Sequence, residues 1–190
     1  NGDRLYVEEG SPKAYGGYYT KAELRDLVQY ARDRHIEIIP EIEMPAHSEE
    51  VLAAYPELSC GGFRQGEFCI GNEDTFRFLE TVLDEVIEVF PSEYIHIGGD
   101  EANKEHWKTC PACQQRMKDE GLEDVDELQS YLIRRISRYV ESKGRRIIGW
   151  DEILDGGLAS GATVMSWRGT QGGIDAMAMG HDVIMSPGRY

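Results

Sequence analysis

The residues best placed to do chemistry lie in "YIHIGGDEANKEHW", Tyr94 to Trp107, where a short apolar segment ends in two glycines and then two acids, Asp100 and Glu101. A strand's period of 2 points consecutive side chains to opposite faces, so neighbouring acids share a site only where the backbone turns. Gly98 and Gly99 lift the steric restriction that would prevent such a turn. Two carboxylates held close together do not both ionise easily, so one pKa is expected to rise, giving a proton donor beside a charged stabiliser. The plainer alternative is a loop of exposed acids. "GWDE", Trp150 to Glu152, repeats the pattern of glycine, aromatic and two acids, and "SWRG" adds Trp167 and Arg168. Tryptophans at strand ends wall apolar pockets or stack on the C–H face of a sugar, and core packing is their alternative role. "PEIEMPAHS" contributes Glu41, Glu43 and His47. His47 has three open roles: orienting an acid, binding a metal, or resting in a satisfied loop. His96 is expected to point inward. His47, His96, Asp100 and Glu152 lack the H-x-H or H-E-x-x-H spacing of a metal hydrolase, so no metal is assigned to them.

These residues need elements to position them. A helix is predicted after Thr20, where "TKAE" forms a capping box and Leu24, Leu27, Val28 and Ala31 recur at helical spacing. Another begins at its N-cap Asn72 and buries Phe76, Leu79, Leu83, Val86 and Phe90. A third runs from Asp124, with Leu128, Leu132, Ile136 and Val140 on one face, and stops at Gly144. A short fourth lies around Ile174 to Met179. Five strand candidates alternate with these helices: "IEIIPEIEM", interrupted by Pro40, then "YIHI", "RRIIGW", "TVMSW" and "DVIMS". Alternation without tight hairpins predicts a parallel α/β chain. Every chemical cluster named above then falls just after a strand, on one rim, where sites form in open sheets and barrels alike. The 190 residues read as one domain, and the Gly-rich loop from Tyr55 to Gly71 reads as a rim loop.

Charge narrows the partners. With 35 acids against 20 bases and a net charge of -15, the chain is a poor match for nucleic acid or an anionic membrane. No apolar run approaches the roughly 20 residues of a membrane span, and no signal peptide is visible. The chain starts at Asn1 and reads as a processed chain or an excised segment. Its four cysteines, Cys60 and Cys69 in the loop and Cys110 and Cys113 in "CPAC", include only one C-x-x-C, half of the usual zinc pattern. A structural zinc site from all four is the minor reading; the main expectation is free thiols or local disulfides, Cys60 with Cys69 and perhaps Cys110 with Cys113.

Taken together, "YGGYYT", "HIEIIPEIEMPAHS", "YPELSC", "YIHIGGDEANKEHW", "GRRIIGWDEIL", "ATVMSWRG" and "GHDVIMSP" resemble, in order and over nearly the whole chain, the catalytic domain of family 20 glycoside hydrolases, the β-N-acetylhexosaminidases. The resemblance implies a (β/α)8 TIM-type barrel, of which this chain carries the third to seventh strands. It implies that Glu101 is the general acid and later the base. Asp100 orients the 2-acetamido group of the substrate, whose own carbonyl attacks the anomeric carbon, so that no enzyme nucleophile is needed. Trp150 and Trp167 resemble walls of the acetamido pocket, and His47, with Glu43 nearby, resembles the histidine linked to the acid. The implied substrate is a glycan with a terminal N-acetylhexosamine, cleaved with retention and without cofactor. By the same analogy the location is extracytoplasmic. Ala46 stands where the family usually has Gly, and Asn103 where Pro is common. The family's pocket tyrosine, shortly after "SP", is not assigned to Tyr190. Two alternatives stay open: a retaining glycosidase with Glu152 as covalent nucleophile, and a sugar-binding relic without catalysis. A barrel fragment with open edges is also expected to be weakly active by itself.

Overall fold

The computed structural model describes residues 17–61 and 66–188; Tyr15 and Gly16 of "YGGYYT", and Tyr190, lie outside the described residues. The elements follow from local signals. Thr20 and Glu23 close the predicted capping box at the start of α1 (Lys21–Arg32). A short α2 (Glu49–Ala54) follows the His47 segment. Asn72 caps α3 (Glu73–Val89) through the Asp74 amide at 3.0 Å. After β1 (Tyr94–His96) come two helices that periodicity did not predict, α4 (Glu105–Thr109) and α5 (Pro111–Glu120). Asp124 accepts from the Asp126 and Glu127 amides to start α6 (Val125–Ser142). The chain continues through β2 (Arg146–Trp150), β3 (Thr163–Ser166), α7 (Gln171–Ala178) and β4 (Val183–Met185).

The four strands form one parallel sheet in the order β1-β2-β3-β4, with Ile95 opposite Ile147, Gly149 opposite Val164, and Met165 opposite Ile184. This is the parallel α/β architecture expected of a partial barrel. The first expected strand differs. Residues 40–44 run beside β1, with the Ile42 amide donating to the His96 carbonyl and the His96 amide to that of Pro40, both at 2.9 Å. Only an isolated bridge, Glu41 to His96, is formed there. Pro40 has no N–H to give, and among the described residues no strand pairs with the far side of this segment.

The core lies between the sheet and its helices. Phe76, Leu79 and Leu83 of α3 and Leu128, Leu132, Ile136 and Val140 of α6 pack with Ile95, Ile97, Ile147 and Val164. Val86 and Phe90, expected inside, are only half-buried, and Val89 takes the buried position at the end of α3. On α1 only Ala31 is buried; Leu27 remains 47% exposed, and Ile36 and Ile39 on the adjoining segment are exposed too.

Candidate active site

The glycines after β1 do what their positions require. Gly98 and Gly99 have φ of 68° and 103°, and Glu101, with a full side chain, also sits at φ 51°. These left-handed turns bring consecutive acids to the same side of the rim. A side chain at Gly98 would collide with the Glu43 carboxylate, and one at Gly99 would lie 2.6 Å from Ile153 Cγ2. The glycines therefore supply both the turn and the room. Left-handed backbone in a non-glycine residue costs of order 1–3 kcal/mol and persists where the surroundings enforce it. His47, at φ 51°, is another such residue, and its Nε2 lies 3.3 Å from Asp100 Oδ2 and 3.4 Å from Glu101 Oε2. Two strained residues thus meet each other across the site.

The two acids differ in setting. The Asp100 side chain is 14% exposed, whereas that of Glu101 is 58% exposed. Asp100 is held from behind: His47 Nε2 lies 3.3 Å from one oxygen, and the Glu43 carboxyl faces both Glu41 and Asp100. Contacts of that kind between carboxyls need a proton, and Glu43 is the member that carries it. Burial first, then Glu41 and Asp100, push its pKa up to about 8. The raised carboxyl, Glu43, thus lies directly behind the acid pair. Glu43 Oε2 and Asp100 Oδ1 are buried without a partner when both groups are counted as acceptors, and a proton on Glu43 relieves that conflict.

The aromatic wall is held by the other acids. Trp150 donates its indole N–H to Glu41 Oε1 at 3.1 Å, and Trp167 donates to Glu152 Oε2 at 3.1 Å. The two rings meet edge to face, with centroids 6.3 Å apart. His96 packs edge-on against Trp150 at 4.7 Å, and burial lowers its pKa, in keeping with the expected inward position. Glu152 is buried between the Trp167 indole and Arg168, whose Nε lies 3.6 Å away and also binds Asp151 at 2.9 Å. Burial raises the Glu152 pKa. These contacts make it a support for the wall. Gln129 and Glu67 were not singled out in the sequence, and Glu41, named there beside Glu43 and His47, takes a definite role. Gln129, buried in the apolar face of α6, donates to the Gly99 carbonyl at 2.8 Å; Glu67 accepts from the Asn103 amide at 2.9 Å; Glu41 ties Trp150 to His96. A polar residue inside a helix's apolar face was the only signal for Gln129.

Among the described residues, two clusters have metal-ligand atoms within 4.8 Å of one another: His47 with Asp100 and Glu101, and the four cysteines. In the first, one imidazole nitrogen lies within 3.4 Å of both carboxylates on an open rim. In the second, the cysteines are free thiols, one of the two states expected, and converge from separate segments.

A rim of acids backed by a histidine and flanked by two tryptophans, at the strand ends of a parallel α/β sheet, is the arrangement of a carbohydrate-cleaving barrel enzyme. Residues 4–190 match glycosyl hydrolase family 20, catalytic domain, and the chain belongs to that family. A β-hexosaminidase of Porphyromonas gingivalis is 53% identical over 190 residues, which cover 95% of this chain and 24% of that protein. The crystal structure of a β-N-acetylhexosaminidase from Bacteroides fragilis superposes with a TM-score of 0.82 at 36% identity, over 92% of this chain and 37% of that one. An exo β-N-acetylglucosaminidase from Vibrio harveyi, solved in complex with N-acetylglucosamine, gives 0.84 at 29% identity, over 92% of this chain and 29% of that one. The chain thus spans between about a quarter and two fifths of the length of these relatives.

Proposed function

We propose that this chain carries the acid pair of an exo-acting β-N-acetylhexosaminidase that removes terminal N-acetylglucosamine or N-acetylgalactosamine with retention. The observation that carries the reading is the setting of adjacent acids: one gripped and mostly buried, the other reaching solvent, joined by one histidine. Glu101 donates a proton to the glycosidic oxygen as the bond to the anomeric carbon breaks. The acetamido carbonyl oxygen of the substrate forms the new bond to that carbon, giving an oxazolinium. Asp100, fixed by His47 and Glu43, accepts from the acetamido N–H and balances the developing positive charge. Water then attacks the anomeric carbon, gives its proton to Glu101, and the acetamide is restored. Adjacent acids cannot straddle a sugar from opposite faces, so the substrate supplying its own nucleophile fits their geometry. Trp150 and Trp167 wall the acetamido methyl.

Glu152 as covalent nucleophile is disfavoured, because both of its oxygens are engaged by Trp167 and Arg168. In the full-length protein a thiazoline mimic of the oxazolinium is expected to inhibit competitively, and a 2-fluoro sugar to leave Glu152 unlabelled. Labelling of Glu152 overturns the reading. A protein that binds N-acetylglucosamine without turnover, before and after Glu101→Gln, would be a binding relic instead.

A further inference from the structure

The four cysteines take no part in the chemistry above, and their geometry points to a metal. Cys60 Sγ lies 3.6 Å from Cys113 Sγ, and Cys69 Sγ lies 3.7 Å from both Cys110 Sγ and Cys113 Sγ. All four sulfurs lie within 4.8 Å of one another. A tetrahedron with the roughly 2.3 Å Zn–S bond as its centre-to-corner distance has an edge of about 3.8 Å. A disulfide would need sulfurs about 2.05 Å apart. We propose that Cys60, Cys69, Cys110 and Cys113 form a structural tetrathiolate zinc site.

The local architecture supports four convergent ligands. Eight residues separate Cys60 from Cys69, which is why spacing alone did not reveal a second ligand pair. The antiparallel bridge between Ser59 and Phe68, with the Cys69 amide donating to the Leu58 carbonyl at 2.7 Å, closes that loop and sets the two cysteines side by side. The other pair opens a helix: Cys110 is the N-cap of α5 and Cys113 lies in its first turn. The backbone amides of Asn72 and Gly71 point at Cys69 and Cys113. Gly71 packs so closely on the backbone of Ala112 and Cys113 that no side chain fits. Three of the four cysteines are buried and Cys60 is half-buried, which closes the site to solvent as structural zinc requires.

The site would pin a clamp on the acid pair. Beside Cys69, the Phe68 amide donates to the Pro45 carbonyl at 2.9 Å, holding the segment that leads to His47. Trp107 donates to the Phe68 carbonyl at 3.0 Å, and Glu67 holds the Asn103 amide just past Glu101. Zinc replaces the thiol protons, so binding releases protons and weakens in acid.

The test uses the full-length protein, purified without chelator and unreduced. Elemental analysis is expected to find about one zinc per chain at this site. Peptide mapping is expected to find all four cysteines as thiols that react with an alkylating reagent only after the metal is removed. Cobalt substitution should give the visible ligand-field bands of a tetrahedral thiolate. Cys110→Ser should lose the metal, whereas Cys60→His, which keeps four ligands, should retain it; the second variant speaks even where the first fails to fold. The proposal is overturned by Cys60–Cys113 and Cys69–Cys110 disulfides, the pairing that the distances allow in an oxidising compartment. It is equally overturned by four thiols that take up no zinc when it is offered, or by recovery of iron in its place.

Discussion

At the scale of single residues, the division of labour between Asp100 and Glu101 rests on what holds each. Glu101→Gln removes the proposed proton donor, so turnover is expected to fall by about 10²–10⁴-fold on substrates with poor leaving groups. The loss should be smaller on aryl glycosides with acidic leaving groups, and kcat should move more than KM. Equal losses on both substrate types would contradict the assignment. Glu43 makes a separate prediction. Its pKa is raised from 4.5 to about 8, so between those values the folded protein holds a proton that the unfolded chain has released. The burial of Glu43 therefore costs nothing below pH 4.5, costs progressively more up to about pH 8, and levels off above. Glu43→Gln in the full-length protein should gain thermal stability relative to wild type across that window; a difference that is flat with pH would contradict it. Asp100, Glu101, His47 and both tryptophans were legible in the sequence, because glycine, aromatic and acid recur at strand ends. Glu43's proton was not, because it depends on Gly98 leaving room for the carboxylate, a distance that no spacing encodes.

At the scale of elements, the site depends on a turn made by β1 and buttressed by α6. Gly98→Ala places an L side chain at φ 68°, which costs about 1–2 kcal/mol, and drives its methyl into Glu43. It should lower the urea midpoint and abolish most activity, and an unchanged midpoint would contradict the packing described. Gln129→Leu keeps the helix face apolar but frees the Gly99 carbonyl, leaving a buried acceptor unpaired at a cost of roughly 1–3 kcal/mol. It is expected to lower kcat on poor leaving groups more than it raises KM; a change in stability alone would make Gln129 merely structural. Caps and periodicity made α1, α3, α6 and the four paired strands legible. Two features were not. The segment before His47 pairs on one side only, and α4 and α5 are short, with little apolar periodicity to announce them. The cysteines show the same gap, since the Ser59–Phe68 bridge joins ligands that spacing holds apart.

At the scale of the molecule, the sheet has two margins left uncovered by the described residues. Leu27, Ile36 and Ile39 are exposed at one, and Ile174, Met177, Ile184 and Met185 at the other. Apolar sheet edges of this kind pair with further strands or with other copies. The net charge of -15 opposes association but covers neither edge. The 190-residue chain alone is therefore expected to self-associate in light scattering and to turn over far less than the full-length protein; a monodisperse chain of equal activity would contradict this. Among the described residues no helix is long and apolar enough to cross a membrane. The barrel class was legible from family-wide motifs, but not from alternation alone, which fits open sheets equally well. The central claim is that the acetamido carbonyl of the substrate is the nucleophile and the acids only assist it. It is tested most directly by kcat/KM of the full-length protein on aryl β-glucosaminides whose N-acetyl group carries zero, one, two or three fluorines. Each fluorine weakens the carbonyl as a nucleophile, so the account predicts a steep, stepwise fall across the series. A flat series would place the nucleophile on the protein and contradict it.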